Sequence, residues 1–169
     1  MKKLAKLTAL LLTGVMLLLL ASCGAAPNPF TPEQQARQEI FNAINEVRKK
    51  AGKSSLQEVP ALTQLEQEFI ENFREAGTNG IPLREAKKLE GELANKQKEA
   101  GWQRTGGSTY SHFGSSAKLS LVYEGDTPEF RNMLKYFNGV EDASTAISIG
   151  VVTIEGKIYW TTTTLKPIT

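Results

Sequence analysis

The end of the chain constrains the fold more than any other part: it is a β-hairpin with no polar face. Ala146–Ile154 is strongly β-forming, Glu155-Gly156 makes a tight turn, and residues 157–164 form a second strand. In that strand Ile158, Trp160 and Thr162 alternate with Tyr159, Thr161 and Thr163. Alternation puts Tyr159 and Trp160 on opposite faces. Both rings are buried if the hairpin lies in the middle layer of a three-layer domain.

What precedes the hairpin supplies helices. Thr31-Pro32-Glu33 is a helix-start signal: a capping threonine, a proline suited to the first helical position and an acid for the positive helix end. Ile40, Phe41, Ile44 and Val47 follow at helical spacing. Gly52 closes the helix after Arg48, Lys49 and Lys50. A second helix is expected after Val59-Pro60, with Leu62, Leu65, Phe69, Ile70 and Phe73 on one face and Gly77 as its stop. A third, from about Pro82 to Ala100, has a thin stripe of Leu83, Ala86, Leu89 and Leu93. It reads as a solvated surface helix with charge pairs such as Glu92 and Lys96, and Gly91 weakens its middle. Residues 104–116 are rich in Gly, Ser and Thr and read as loop. Residues 117–123 alternate as a half-buried strand. Thr127-Pro128-Glu129 repeats the helix-start signal ahead of Phe130, Met133, Leu134 and Phe137, and Gly139 ends that helix. Helices in front and antiparallel strands behind predict an α+β or layered α-β-α domain.

The N-terminus belongs to a different economy. Lys2, Lys3 and Lys6 precede a run from Leu7 to Leu20 with no charge. Fourteen helical residues cover about 21 Å, short of a hydrocarbon core of about 30 Å. A basic start followed by a short apolar run is the pattern of an export signal. Leu20-Ala21-Ser22-Cys23 follows, and Cys23 is the only cysteine of the chain. A lone thiol on an exported protein has no internal partner and is open to oxidation, and acylation removes that exposure. The junction resembles the lipobox of bacterial lipoproteins. The resemblance implies a diacylglycerol on Cys23, which becomes the first residue, and two acyl chains hold a membrane durably. Three prolines within residues 24–32 make a short stiff spacer. The expected organisation is a signal peptide over 1–22, the lipidated Cys23 and spacer over 23–32, and one domain over 33–169, exported and membrane-anchored in the cell envelope.

Charge narrows the partners. The chain carries +2 overall, and three of its lysines lie in the leader with no acid beside them. The mature part therefore stands at −1, with no electrostatic case for nucleic acid and no evident basic patch for anionic lipid.

Asn45-Glu46-Val47-Arg48, Gly52, Ser55-Leu56 and Pro60-Ala61-Leu62 together resemble the opening of CAP-superfamily domains, the cysteine-rich secretory, antigen 5 and pathogenesis-related group. Ile149-Gly150-Val151-Val152 and Gly156-Lys157-Ile158-Tyr159-Trp160-Thr161 resemble that family's last hairpin, and Thr127-Pro128-Glu129 through Tyr136-Phe137 its helix ending in an aromatic. The resemblance spans most of residues 36–165. It implies a three-layer α-β-α sandwich with an antiparallel sheet and a C-terminal hairpin. Many members hold a divalent metal with two His and two Glu. Here there is one His in all, no Gly-Glu-Asn motif, and Asn138-Gly139-Val140-Glu141-Asp142 where a Ser-x-Gly-His segment is expected. One imidazole cannot replace two, so neither metal nor cofactor is expected.

The remaining candidate for chemistry is His112, set among Ser108, Ser111, Ser115 and Ser116, with Glu124 or Asp126 as a third triad member. No nucleophile elbow accompanies it, and hydroxyl-rich loops are common without catalysis. The sequence thus favours a non-catalytic envelope lipoprotein whose CAP-like domain binds a protein, peptide or lipid. The alternatives are an envelope hydrolase using His112 with a nearby Ser, and a lipid carrier with an enclosed apolar cavity.

Overall fold

A computed structural model describes residues 30–136 and 143–169. Cys23, the leader, most of the spacer, Phe137 and the 138–142 segment lie outside the described residues. Of the chain's two units, Met1–Thr31 is described only at Phe30 and Thr31; the account below concerns Pro32–Thr169.

Four helices form where apolar side chains recur at helical spacing. Helix α1 spans Pro32–Lys50 and buries Ala36, Ile40, Ala43, Ile44 and Val47. Helix α2 spans Pro60–Glu71, helix α3 Leu83–Glu99 and helix α4 Pro128–Leu134. Gly91 does not interrupt α3. The Thr127 hydroxyl accepts a hydrogen bond from the Phe130 amide at 3.1 Å, so the cap read from Thr127-Pro128 is made. The expected Glu92–Lys96 pair is not the arrangement found: Lys88 holds Glu92 at 3.6 Å, and Lys96 reaches across to Glu68 of α2 at 3.3 Å.

Strands β1 (Gln57–Glu58), β7 (Ala146–Ile154), β8 (Lys157–Pro167) and β3 (Trp102–Ser108) lie in that order, with β6 (Val122–Tyr123) also on β8. Strands β2 (Ile81–Pro82), β5 (Ser116–Lys118) and β4 (Ser111–Phe113) form a second small sheet. The hairpin β7–β8 is the spine, running in register from Ala146↔Leu165 to Ile154↔Lys157. Its turn carries positive φ at both Glu155 (49°) and Gly156 (77°). That conformation matches the right-handed twist of the strands it joins.

Three expectations are corrected. Residues 104–116 are not a loop but carry β3, β4 and the start of β5. Gly106 and Gly107 hid β3, and they are what lets it approach β8. A Cβ on Gly107 (φ +147°) would sit 2.3 Å from the Thr162 carbonyl oxygen. Residues 117–123 are not one strand: they split between β5 and β6, in different sheets. The main sheet is mixed rather than antiparallel, because β1 runs parallel to β7.

Helices pack against both sides of the hairpin. Ile40, Ala43 and Ile44 of α1, with Phe130 and Leu134 of α4, share a core with Ile147, Ile149, Val151 and Trp160. Phe69, Ile70 and Phe73 of α2, with Ala86 and Leu93 of α3, share another with Val152 and Ile154, and Tyr159 packs against it. Tyr159 and Trp160 thus serve opposite cores, and Trp160 is fully buried. Helix α2 approaches closest at Gly150, where a Cβ would lie 2.7 Å from the Glu66 carbonyl oxygen.

Asn45 and Arg48 explain one motif. The Asn45 side-chain amide donates to the Leu56 carbonyl at 3.1 Å and accepts from the Leu56 amide at 2.8 Å. Arg48, 1 % exposed, donates from Nε to the Ser54 carbonyl at 2.8 Å. The Asn-x-x-Arg pair straps the segment leading into β1 onto α1.

Candidate binding groove at the open edge of the sheet

Strand β7 has an incomplete neighbour. Strand β1 pairs only with Ala146 and Ile147. Beyond that point no described strand covers the outer edge of β7. The N–H and C=O of alternate residues in an antiparallel strand point the same way, so the outward groups here are those of Val151 and Thr153.

Side chains take the place of the missing strand. Gln67 Nε2 donates to the Val151 carbonyl at 2.7 Å, and Gln67 Oε1 accepts from the Val151 amide at 3.0 Å. Glu33 of α1 accepts from the Thr153 amide at 2.6 Å, and Arg74 Nη1 donates to the Thr153 carbonyl at 3.3 Å. The holders are tied to one another. Arg74 bonds Glu71 at 2.6 Å and Glu33 at 3.2 Å, and Gln67 also donates to Glu71 at 2.8 Å. The Arg74 guanidinium holds the Glu71 carboxyl below its ordinary pKa, with burial opposing and Gln67 assisting.

Helical periodicity puts these groups in place. Thr63, Gln67 and Glu71 recur every fourth residue of α2 and so share one face. That face borders an open groove of about 470 Å3, with Arg37 of α1 opposite and Glu58 of β1 at one end. Thr63 and Arg37 both reach Glu58, at 3.1 and 3.5 Å. The lining is hydrogen-bonding and charged rather than a reacting constellation.

The inner face of α2 holds a buried acid that the sequence reading missed. Glu66 is fully buried. Its Oε2 accepts from Thr163 at 2.7 Å and Ser148 at 3.1 Å, while its Oε1 has no hydrogen-bond partner. Burial raises its pKa; Thr163, Thr161 and Ser148, and more weakly the charge of Arg104, offset part of that. Thr161 acts there by proximity, since its hydroxyl makes no hydrogen bond of ordinary geometry. The signal was available: Glu66 lies four residues from both Leu62 and Ile70, on the stripe read as apolar.

His112 sits on β4, exposed, with its ring stacked on Tyr110 at 5.5 Å. Tyr110 donates instead to Glu90 at 3.1 Å, which Arg104 also holds at 2.9 Å. Burial, reinforced by Glu90, pushes the Tyr110 hydroxyl up to about 12. Ser111 bonds Ser120 at 2.9 Å. Among the described residues no hydrogen bond joins His112 to a serine or carboxylate. Asp126 is engaged by Arg131, which also reaches Glu46 of α1 at 2.6 Å, so it braces α4 rather than a histidine. Phe113 and Tyr136, grouped with the core aromatics from sequence, are exposed.

No group of three or more His, Cys, Asp or Glu side chains suited to a metal occurs among the described residues, and no described helix is long and apolar enough to cross a membrane. Compared with family models, with curated proteins and with solved structures, the chain matches none.

Proposed function

We propose that this chain is a bacterial envelope lipoprotein, anchored through a diacylglyceryl group on Cys23, whose CAP-like domain binds a protein, peptide or lipid ligand at the cell surface without catalysing a reaction. The anchor reading rests on the leader and on the position of the sole cysteine. The CAP-like, three-layer reading draws support from the Asn45–Arg48 strap at Ser54 and Leu56 and from helices packed on both sides of the C-terminal hairpin.

The observation that carries the binding reading is the groove beside β7. It offers main-chain and side-chain hydrogen-bonding groups in one concavity and no paired nucleophile and base. The competing hydrolase needs His112 within hydrogen-bond reach of a nucleophile, and His112 spends its ring on Tyr110. The test is turnover by residues 24–169 on peptide and cell-wall substrates. The expected result is none above background; hydrolysis that His112→Ala abolishes would sink the reading.

A further inference from the structure

The geometry points to the outer edge of β7 as a strand-addition site, where an extended peptide segment with basic ends takes over the main-chain groups of Val151 and Thr153 now held by Gln67, Glu33 and Arg74. This rests on the binding reading above and names the class of ligand.

Sheet edges are usually protected by short strands, charges, bulges or a covering element. Here three flexible side chains hold four main-chain groups. The Gln67 amide is a close chemical copy of a peptide group, donating and accepting at one residue as a neighbouring strand does. A side chain of this kind leaves by rotamer change, without unfolding a helix or strand. Its inner-face neighbours Glu66 and Ile70 keep α2 on the sheet. An arriving strand replaces bond for bond what Gln67 gives up, so the exchange leaves no buried polar group unpaired.

The groove provides the room and the sign of charge. It lies directly beside Gln67 and begins at Glu58, where β1 stops. Three carboxylates line it, Glu58, Glu68 and Glu71, against the single guanidinium of Arg37. Lys96 and Arg74 answer two of them from the rim. The remaining excess is negative and favours cationic residues at the ends of the added segment.

All described helices, strands and cores belong to Pro32–Thr169, so residues 24–169 serve for the test. Isotope-labelled protein, wild type and Gln67→Ala, is titrated with three acetylated, amidated peptides: Lys-Thr-Val-Thr-Val-Thr-Lys, its counterpart with Glu at both ends, and Lys-Thr-Pro-Thr-Pro-Thr-Lys, whose prolines cannot donate to a ladder. The expected result is saturable movement of the Val151 and Thr153 amide signals with the first peptide. Affinity is severalfold higher in Gln67→Ala, where the competing side chain is gone, weaker with acidic ends, and lost with the proline peptide. Stationary signals at both amides in both proteins up to millimolar peptide, or equal binding of the proline peptide, would overturn the proposal. Such a failure leaves lipidation and the absence of turnover untouched, and those are measured separately.

Discussion

The side-chain amide of Gln67 and the main chain of Val151 exchange two hydrogen bonds, at 2.7 and 3.0 Å, across 84 positions of sequence. The pair does the work of a strand that is absent from that edge, and it fastens the outer face of α2 to the spine of the domain. Because Val151 turns its polar groups outward, Gly150 and Val152 turn theirs toward β8. In Gln67→Ala the Val151 amide should exchange with solvent at least tenfold faster, while that of Val152 stays protected. Global stability should fall by about 1–2 kcal/mol, the scale of two partly exposed hydrogen bonds. Hydrogen exchange and chemical denaturation read the two effects.

Glu66 makes the domain sensitive to pH in a stated direction. Its folded pKa is raised above the model value of 4.5 by burial. Between 4.5 and that raised value the unfolded chain has released the proton and the folded one has kept it. Stability from this group is therefore full below 4.5 and is lost as pH rises through the folded value, at up to about 1.4 kcal/mol per pH unit. Glu66→Gln keeps the shape and removes the charge. Melting temperatures across pH 5 to 9 should be higher for the variant at the alkaline end and flatter throughout.

Gly150 is required by proximity rather than by turn geometry. An added methyl would meet the Glu66 carbonyl oxygen at 2.7 Å and Ile70 Cγ2 at 3.0 Å. Gly150→Ala must lift α2 from the sheet, and a loss of about 1–3 kcal/mol is expected from overpacking. Urea titration measures it; an unchanged midpoint would mean that the helix sits farther away.

Thr127 caps α4 through the Phe130 amide. Thr127→Ala should cost about 1 kcal/mol, and Thr127→Ser should restore most of it. Thermal melts of the two variants make the comparison.

The elements legible in the sequence were those with a period. Ile40, Ile44 and Val47 announced α1, and the alternation from Ile158 to Thr163 announced β8 with Tyr159 and Trp160 on opposite faces. What stayed hidden depends on contacts across long separations. The Gly106-Gly107 pair of β3 reads as loop until Thr162 lies 2.3 Å from where a Cβ would be. Gln67 and Glu71 read as a solvated face until Val151, 84 residues on, presents its edge. Glu66 was legible in principle, since an acid on an apolar stripe needs donors, and the hydroxyls of Ser148 and Thr163 are those donors.

The central claim is that this domain works at a membrane surface because Cys23 carries lipid. Palmitate labelling of the full chain in a bacterial host, wild type against Cys23→Ala, tests it most directly. The account predicts label in the wild type and none in the variant; an unlabelled wild type, or a variant labelled equally, would contradict it.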